Sequence, residues 1–185
     1  MISESPELSP LQHSLLFRFV ARLWLRELDQ TTLEELRGPL CEAWKAIGGA
    51  IPNATLEDLQ ADFCQLLAHP KTYIAPFQSV WTTGELGGPS MSSMQNWLSE
   101  TGYAAEFTVD EISDHLGVQL DLYGWMTGCE AENESDQELV STVTNRFAQE
   151  HLTWTDSLLE RANDVATTEF YRSVVSVSHK LLQAK

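Results

Sequence analysis

Leucine at helical spacing is the feature that most restricts what this chain can fold into. The sequence has 25 leucines against 15 valines and isoleucines together, whereas a sheet would favour the β-branched residues. Leu11, Leu15 and Phe19 recur every four residues after Ser9-Pro10, a pair that is typical of a helix start. No segment keeps the alternating pattern of a half-buried strand for long. The sequence therefore predicts an all-α fold without a sheet.

Short capping patterns indicate where further helices begin. A Ser or Thr followed three residues later by Glu predicts helix starts at Thr31, Thr108 and Ser135, and Thr55 begins another helical pattern. The stretch 155–183 reads as one long or slightly broken helix. At 185 residues we expect one helical bundle domain over 1–185, or the same bundle in two lobes, 1–105 and 106–185.

Proline and glycine interrupt the helical pattern in the middle of the chain. Residues 69–89 include Pro70, Pro76 and three glycines, and they cannot form one continuous helix. The same stretch contains several aromatic side chains, which favour burial over disorder. We expect a long, irregular, aromatic loop here, of the kind that often carries function.

The charge balance restricts the partners. Eleven Lys and Arg oppose 27 Asp and Glu, a net charge of −16. This argues against binding nucleic acid or an anionic membrane surface, both of which require cationic contacts. A basic partner would be attracted. The alternative is an acidic surface that serves only solubility.

Several features indicate a cytoplasmic protein. The acidic stretch 1–7 lacks the basic region of a signal peptide, and no run approaches the ~20 apolar residues of a transmembrane helix. The three cysteines, Cys41, Cys64 and Cys129, are far apart and read as reduced core residues.

Motifs for catalysis and for cofactors are missing from the sequence. It contains no phosphate-binding glycine loop, no nucleophile elbow and no HExxH zinc motif. The five histidines are scattered, and the pair Glu111 and His115 is a weak metal signal. We therefore expect no enzyme activity, no metal and no cofactor.

Five short segments resemble, in order, the TorD/DmsD/NarJ family of redox-enzyme maturation chaperones. The stretch from Asp110 to Met126 is similar to the family's Asp-His-x-x-x-(Glu/Gln)-Leu helix. The other segments are Asp62-Phe63-Cys64-Gln65-Leu66-Leu67, Pro76-Phe77-Gln78-Ser79-Val80-Trp81, Phe147-Ala148-Gln149-Glu150-His151-Leu152-Thr153-Trp154 and Phe170-Tyr171. The resemblance covers roughly residues 56–182. The chain departs from the common pattern at Gln119, where Glu is usual, and at Ala68-His69-Pro70, where Gly-Pro is usual.

The resemblance implies an all-helical, cytoplasmic chaperone of anaerobic respiration. Such a protein binds the twin-arginine leader of a molybdenum-containing oxidoreductase and assists its folding, cofactor loading and export. Its partners would be the leader and the apo-enzyme, with the twin-arginine export machinery as a further candidate. Either a monomer or a domain-swapped dimer is compatible with the sequence.

Two other functions stay open at this point. One is a NarJ-like assembly chaperone that binds the terminus of a non-exported subunit. The other is a nucleotide-dependent hydrolase, although a −16 chain repels nucleotides.

A leader peptide requires carboxylates for its arginines and an apolar groove for the rest. We expect that groove between the loop 76–81 and the helix that begins at Asp114-His115. The candidate peptide-binding residues are Asp62, Tyr73, Pro76, Phe77, Ser79, Trp81, Asp114, His115, Gly117 and Trp125.

Each candidate also has a structural interpretation. Asp114 could complement the helix dipole or anchor the loop, and His115 could be a hydrogen-bonded core residue. The two tryptophans could pack in the core, and Asp62 could bind backbone amides of the loop. Pro76 and Ser79 could shape the loop without touching a ligand.

Overall fold

The computed structural model describes residues 9–68, 73–103, 113–132 and 135–184, and 73% of these residues are helical. No strand occurs within these ranges, so the predicted all-α fold is confirmed. In chain order the described helices are α1 (Pro10–Leu25), α2 (Gln30–Arg37), α3 (Cys41–Ala46), α4 (Leu56–Leu67), α5 (Gln78–Thr83), α6 (Pro89–Thr101), α7 (Leu116–Glu132), α8 (Gln137–His151), α9 (Asp156–Val165) and α10 (Glu169–Gln183).

Side-chain caps produce two of the predicted helix starts. Ser9 and Gln12 cap α1 reciprocally, because each backbone amide donates to the other's side chain. Thr55 Oγ1 accepts the amide of Asp58 at the start of α4. Both starts agree with the sequence prediction. Of the two forms predicted for the tail, one long helix or a slightly broken one, the structure has the broken one, with the break at 166–168 between α9 and α10.

Two predicted starts are wrong by one or two residues. Asp29, not Thr31, caps α2, because its carboxylate accepts the Thr32 amide. The predicted cap at Ser135 is replaced by Asp136, which makes no side-chain capping bond. The predicted start at Thr108 lies outside the described residues.

The first of two compact units takes residues from 26–74 and 157–185. It contains α2, α3, α4, α10 and nearly all of α9. Within it α4 packs against α10, and Leu59, Leu66, Phe170 and Val174 are buried.

The second unit takes residues 8–25 and 75–156, with α7 as its central helix. Every residue of α7 from Leu116 to Gly124 is buried, as expected of a helix that is covered on all sides. Helix α1 runs antiparallel to α7. An added Cβ at Gly117 would lie 2.9 Å from the Ala21 carbonyl, and one at Gly124 2.9 Å from the Ser14 carbonyl. These glycines allow the close approach of the two helices.

Each unit combines segments from distant parts of the chain, whereas the predicted lobes 1–105 and 106–185 are continuous in sequence. Helix packing joins α1 to α7, which lies far along the chain. A boundary drawn from chain order alone does not anticipate this pairing.

The predicted middle loop is interrupted by the six-residue helix α5. Its N-cap residue, Phe77, supplies no side-chain hydrogen bond, and Gly84 ends it in the left-handed conformation at φ 82°. The sequence correctly predicted a break in the helical pattern. It did not predict α5, because the contacts that stabilise this helix come from residues distant in sequence.

Candidate functional site

The middle loop and the start of α7 are joined by backbone hydrogen bonds within the second unit. The amide of Gln78 donates to the carbonyl of Asp114 (3.0 Å), and the amide of Leu116 donates to the carbonyl of Pro76 (2.7 Å). Between these bonds Phe77 and His115 form an isolated antiparallel bridge. The two segments that the sequence analysis paired are therefore adjacent.

Asp114 anchors the loop. Its side chain is fully buried, and Oδ2 accepts the amide of Ser79 at 2.7 Å. Ser79 lies in the first turn of α5, so Asp114 serves as the N-terminal cap that Phe77 does not supply. The other oxygen, Oδ1, has no hydrogen-bond partner among the described residues. These contacts agree with the interpretation of Asp114 as a residue that anchors the loop.

His115 is a buried, neutral histidine. Its Nδ1 accepts the amide of Gly117 at 2.9 Å, and its ring meets Phe77 edge-on, with centroids 5.2 Å apart. Burial lowers its pKa to about 4. These contacts agree with the interpretation of His115 as a hydrogen-bonded core residue.

Three aromatic candidates are only half-buried, and they leave part of their surface accessible. Trp81 donates its Nε1–H to the carbonyl of Ala75 at 2.7 Å, which fixes the indole against the loop. Trp125, on α7, faces Tyr103 with ring centroids 5.1 Å apart. Phe77 is the third. Phe77 and Trp81 therefore lie in the loop segment that is bound to the start of α7, whereas Trp125 lies farther along α7 beside Tyr103.

Other predicted residues shape the structure. Pro76 and Ser79 are buried, and Ser79 Oγ accepts the amide of Gly87 (3.0 Å), which closes the turn after α5. Gly117 permits the contact between α1 and α7. These contacts agree with the loop-shaping interpretation of Pro76 and Ser79.

Asp62 and Tyr73 belong to the first unit. Asp62 accepts the amides of Thr167 (3.0 Å) and Thr168 (2.8 Å) and the Thr168 hydroxyl. It therefore binds the connection between α9 and α10, whereas the structural interpretation from sequence had it bind amides of the middle loop. The reason is tertiary, since α4 packs beside α10. Tyr73 is 43% exposed.

A buried amide network, which the sequence analysis missed, holds α5 to α7 and α8. Gln78 Nε2 donates to the carbonyl of Glu150 (2.8 Å), and Gln78 Oε1 accepts from Gln119 Nε2 (2.7 Å). His151 Nδ1 lies 2.8 Å from the same Oε1, and it donates because an amide oxygen can only accept. Trp154 Nε1 donates to Gln119 Oε1 (3.0 Å). Two sequence features could have indicated this network: the segment from His151 to Trp154, and Gln119 at a position where Glu is usual.

Glu150 is a partly accessible carboxylate beside this network. Its side chain is 39% exposed. The Ser93 hydroxyl and Trp97 Nε1, the latter at 3.2 Å, both donate to it. Burial raises its pKa, but these hydrogen bonds and the charges of His151 and Arg146 outweigh burial and hold the pKa below its ordinary value. Glu150 is therefore ionised at neutral pH.

The described ranges hold neither a metal-ligand cluster nor a helix that could cross a membrane. No group of three or more His, Cys, Asp or Glu side chains in these ranges is arranged to hold a metal ion. Likewise, no described helix combines the length and the apolar character that a bilayer span requires.

Residues 33–160 of the chain match the family model of the nitrate reductase delta subunit. The chain belongs to the nitrate reductase delta subunit family. This agrees with the resemblance seen in the motifs and extends it upstream of residue 56.

Relatives of this family member are named as chaperones. It is 33% identical over 131 residues to the chaperone protein TorD of Vibrio vulnificus, a match that covers 68% of this chain and 60% of that protein's length. TorD of Aliivibrio fischeri is 27% identical over 180 residues, covering 94% of this chain and 83% of that protein. These names support the prediction that the chain is not an enzyme.

A solved structure shares the fold of this family member. It is described as a redox enzyme maturation protein from Archaeoglobus fulgidus, with a TM-score of 0.60 and 17% sequence identity. The likeness covers 97% of this chain and 99% of that one. At this identity the comparison shows the fold alone.

Proposed function

We propose that this protein is a cytoplasmic chaperone for a molybdenum-containing oxidoreductase. It binds the twin-arginine leader of the enzyme subunit and assists folding, cofactor loading and export. The observation that carries the proposal is the match to TorD chaperones, which extends over 94% of this chain in the Aliivibrio fischeri protein.

Half-buried aromatic rings on the second unit support the proposal. Trp81, Phe77 and Trp125 expose part of their rings, and they lie on elements that hydrogen bonds hold in place. Because backbone bonds join the loop directly to the start of α7, the peptide lies beside this bridge rather than between the two segments. Aromatic surface on a rigid support loses little conformational freedom on binding, which favours affinity.

A second candidate is the NarJ-like function, in which the bound segment is the terminus of a non-exported enzyme subunit. The description of the matched family, nitrate reductase delta subunit, favours it. Both candidates use an apolar peptide surface. They differ in whether the peptide needs two arginines.

Calorimetry with synthetic peptides tests the proposal. The peptides are the N-terminal leaders of the host's molybdenum oxidoreductases, each compared with a version in which both arginines are alanine. Under the leader-binding proposal the arginine peptides bind, and the alanine versions bind at least about tenfold more weakly. Equal binding of both versions favours the NarJ-like function, and binding of neither contradicts the leader-binding proposal.

The client is identified by affinity purification of the protein from its anaerobically grown host, followed by mass spectrometry. Recovery of one oxidoreductase subunit without its molybdenum cofactor is the expected result. Recovery of only the mature, cofactor-loaded enzyme would contradict a role before cofactor loading.

A further inference from the structure

A leader-binding surface in this chain needs a carboxylate that an arginine can reach, and three central carboxylates are already occupied. Asp114 is fully buried and caps α5. Asp121 is 1% exposed and accepts hydrogen bonds from Arg18 Nε (3.2 Å) and the Tyr103 hydroxyl. Asp62 is 2% exposed and has three donors. An incoming guanidinium would have to enter the core to reach Asp114, and at Asp121 and Asp62 it would also have to displace internal donors.

Glu150 differs from these residues in both exposure and position. Its carboxylate is held in one orientation by Ser93 and Trp97, yet 39% of its side chain remains accessible. Its own carbonyl accepts the Gln78 side chain, so Glu150 lies directly beside α5. Trp81 follows in the same short helix, three residues after Gln78.

The surroundings of Glu150 already accommodate a guanidinium group. The Arg146 guanidinium carbon lies 5.4 Å from the centre of the Trp97 ring, a cation–π distance. Trp97 in turn donates its Nε1–H to Glu150. A carboxylate that is fixed in one orientation suits the planar, forked guanidinium of arginine better than the ammonium of lysine.

We propose that Glu150 is the carboxylate that receives an arginine of the bound peptide, with buried Trp97 holding that carboxylate in place from within the protein. In this arrangement Asp114 is a positioning residue, which acts by holding α5 and does not touch the peptide. The inference rests on the proposed function, because it concerns the site of the same peptide.

The test uses the full-length protein and a synthetic peptide of two arginines followed by eight leucine and alanine residues. Two comparison peptides have the same sequence except that two lysines or two alanines replace the two arginines. Glu150→Gln removes the charge and keeps one of the two oxygens that accept from Ser93 and Trp97. We expect the Arg–Arg affinity to fall about tenfold, as for the loss of one charge-assisted hydrogen bond, with the Ala–Ala affinity unchanged.

Glu138→Gln is the matched control, because it removes the same charge from α8 twelve residues away, about 18 Å along the helix. Its Arg–Arg affinity should stay within about twofold of wild type, as expected for a distant surface charge. Glu150→Asp keeps the charge and should recover most of the loss. The Lys–Lys peptide should bind wild type more weakly than the Arg–Arg peptide. Thermal unfolding of each variant shows whether it is folded.

The outcomes separate this inference from the proposed function. If wild type prefers the Arg–Arg peptide and Glu150→Gln keeps that preference, the assignment of Glu150 is wrong and the proposed function stands. An equal loss in Glu138→Gln also overturns it, because the effect is then one of net charge. If wild type does not prefer the Arg–Arg peptide, both the assignment and the leader-binding proposal fail.

Discussion

At the scale of single residues, Asp114 and Asp62 each use a buried carboxylate to bind backbone amides at the start of a helix. Asp114 caps α5 and Asp62 binds the two residues before α10. A hydrogen bond from an amide to a buried charged group contributes more to stability than one between neutral groups. These two residues therefore connect chain segments that local sequence does not connect.

Asp114→Ala should lower the free energy of unfolding by about 2 kcal/mol, since it removes the acceptor of the Ser79 amide. Asp114→Asn keeps an acceptor at that position and should lose less than about 1 kcal/mol, the size of a neutral hydrogen bond. Urea denaturation of both variants checks this order. Wild-type stability in Asp114→Ala would contradict the anchoring role, and a loss of Arg–Arg affinity in a stable Asp114→Asn would indicate direct peptide contact.

The lowered pKa of His115 should make the free energy of unfolding depend on pH. Burial lowers its pKa to about 4, whereas an unfolded histidine titrates near 6.5. The unfolded state therefore binds a proton first as pH falls, and stability is lost between about pH 6.5 and 4. From pH 7 to pH 5 the loss from this residue is about 2 kcal/mol.

His115→Asn is expected to flatten this pH dependence. Urea unfolding at pH 7 and pH 5 measures it, with His13→Gln as a control at a histidine outside the site. His151 contributes in the same direction, because burial lowers its pKa as well. An unchanged pH slope in His115→Asn would show that His115 titrates normally in the folded protein.

At the scale of elements, the pairing of α1 with α7 depends on glycines in α7. A Cβ added at Gly124 would meet Arg18 Cγ at 2.8 Å, Phe17 Cβ at 2.9 Å and the Ser14 carbonyl at 2.9 Å. These atoms belong to the backbone or lie close to it, and they cannot move without shifting α1. At Gly128 the nearest atom is Ser14 Oγ at 2.8 Å, the end of a small side chain.

Gly124→Ala should therefore destabilise the protein by about 1–3 kcal/mol, the range for overpacking, although alanine is the better helix former. Gly128→Ala should lose less, because its helix propensity offsets a softer contact. Thermal unfolding of the pair tests the order. Equal melting temperatures for both variants and wild type would mean that the backbone of α1 does not lie within contact distance of a Cβ at Gly124.

The connection between α9 and α10 also depends on a residue that is distant in sequence, Asp62. Asp62→Ala removes the acceptor of two amides and of the Thr168 hydroxyl, which itself caps α10 by accepting the Tyr171 amide. We expect a loss of about 3 kcal/mol in unfolding free energy. Peptide affinity should be unchanged in the folded variant. A stable variant with weakened peptide binding would place Asp62 in the peptide site.

At the scale of the whole molecule, the net charge of −16 should act on a basic peptide over distance. Raising salt from about 50 to about 500 mM shortens the screening length to about 4 Å, so the affinity for the Arg–Arg peptide should fall and its apolar part should keep a residual affinity. Calorimetry over this range measures both. The Ala–Ala peptide is the control, and an affinity independent of salt would leave the acidic surface a role in solubility alone.

The family assignment and the all-α fold could be read from the sequence, and the roles of the site residues could not. Phe77 and His115 were predicted to lie close together, and they do. For Asp114 the sequence left loop anchoring and peptide binding both open. The partners of Asp62, the helix α5 and the amide network of Gln78 and Gln119 were not predicted, because each depends on burial and on partners far along the chain.

What the sequence determined by itself was local. Helical periodicity, the caps at Ser9 and Thr55 and the acidic balance depend on residues within a few positions or on composition alone. Only the tertiary structure decided which carboxylates are buried and what they bind. Asp114 meets Ser79 across 35 residues, His151 meets Gln78 across 73, and Asp62 meets Thr168 across 106. The physical reason is that burial and hydrogen-bond partners are set by the packing of helices, and packing pairs residues without regard to their separation along the chain.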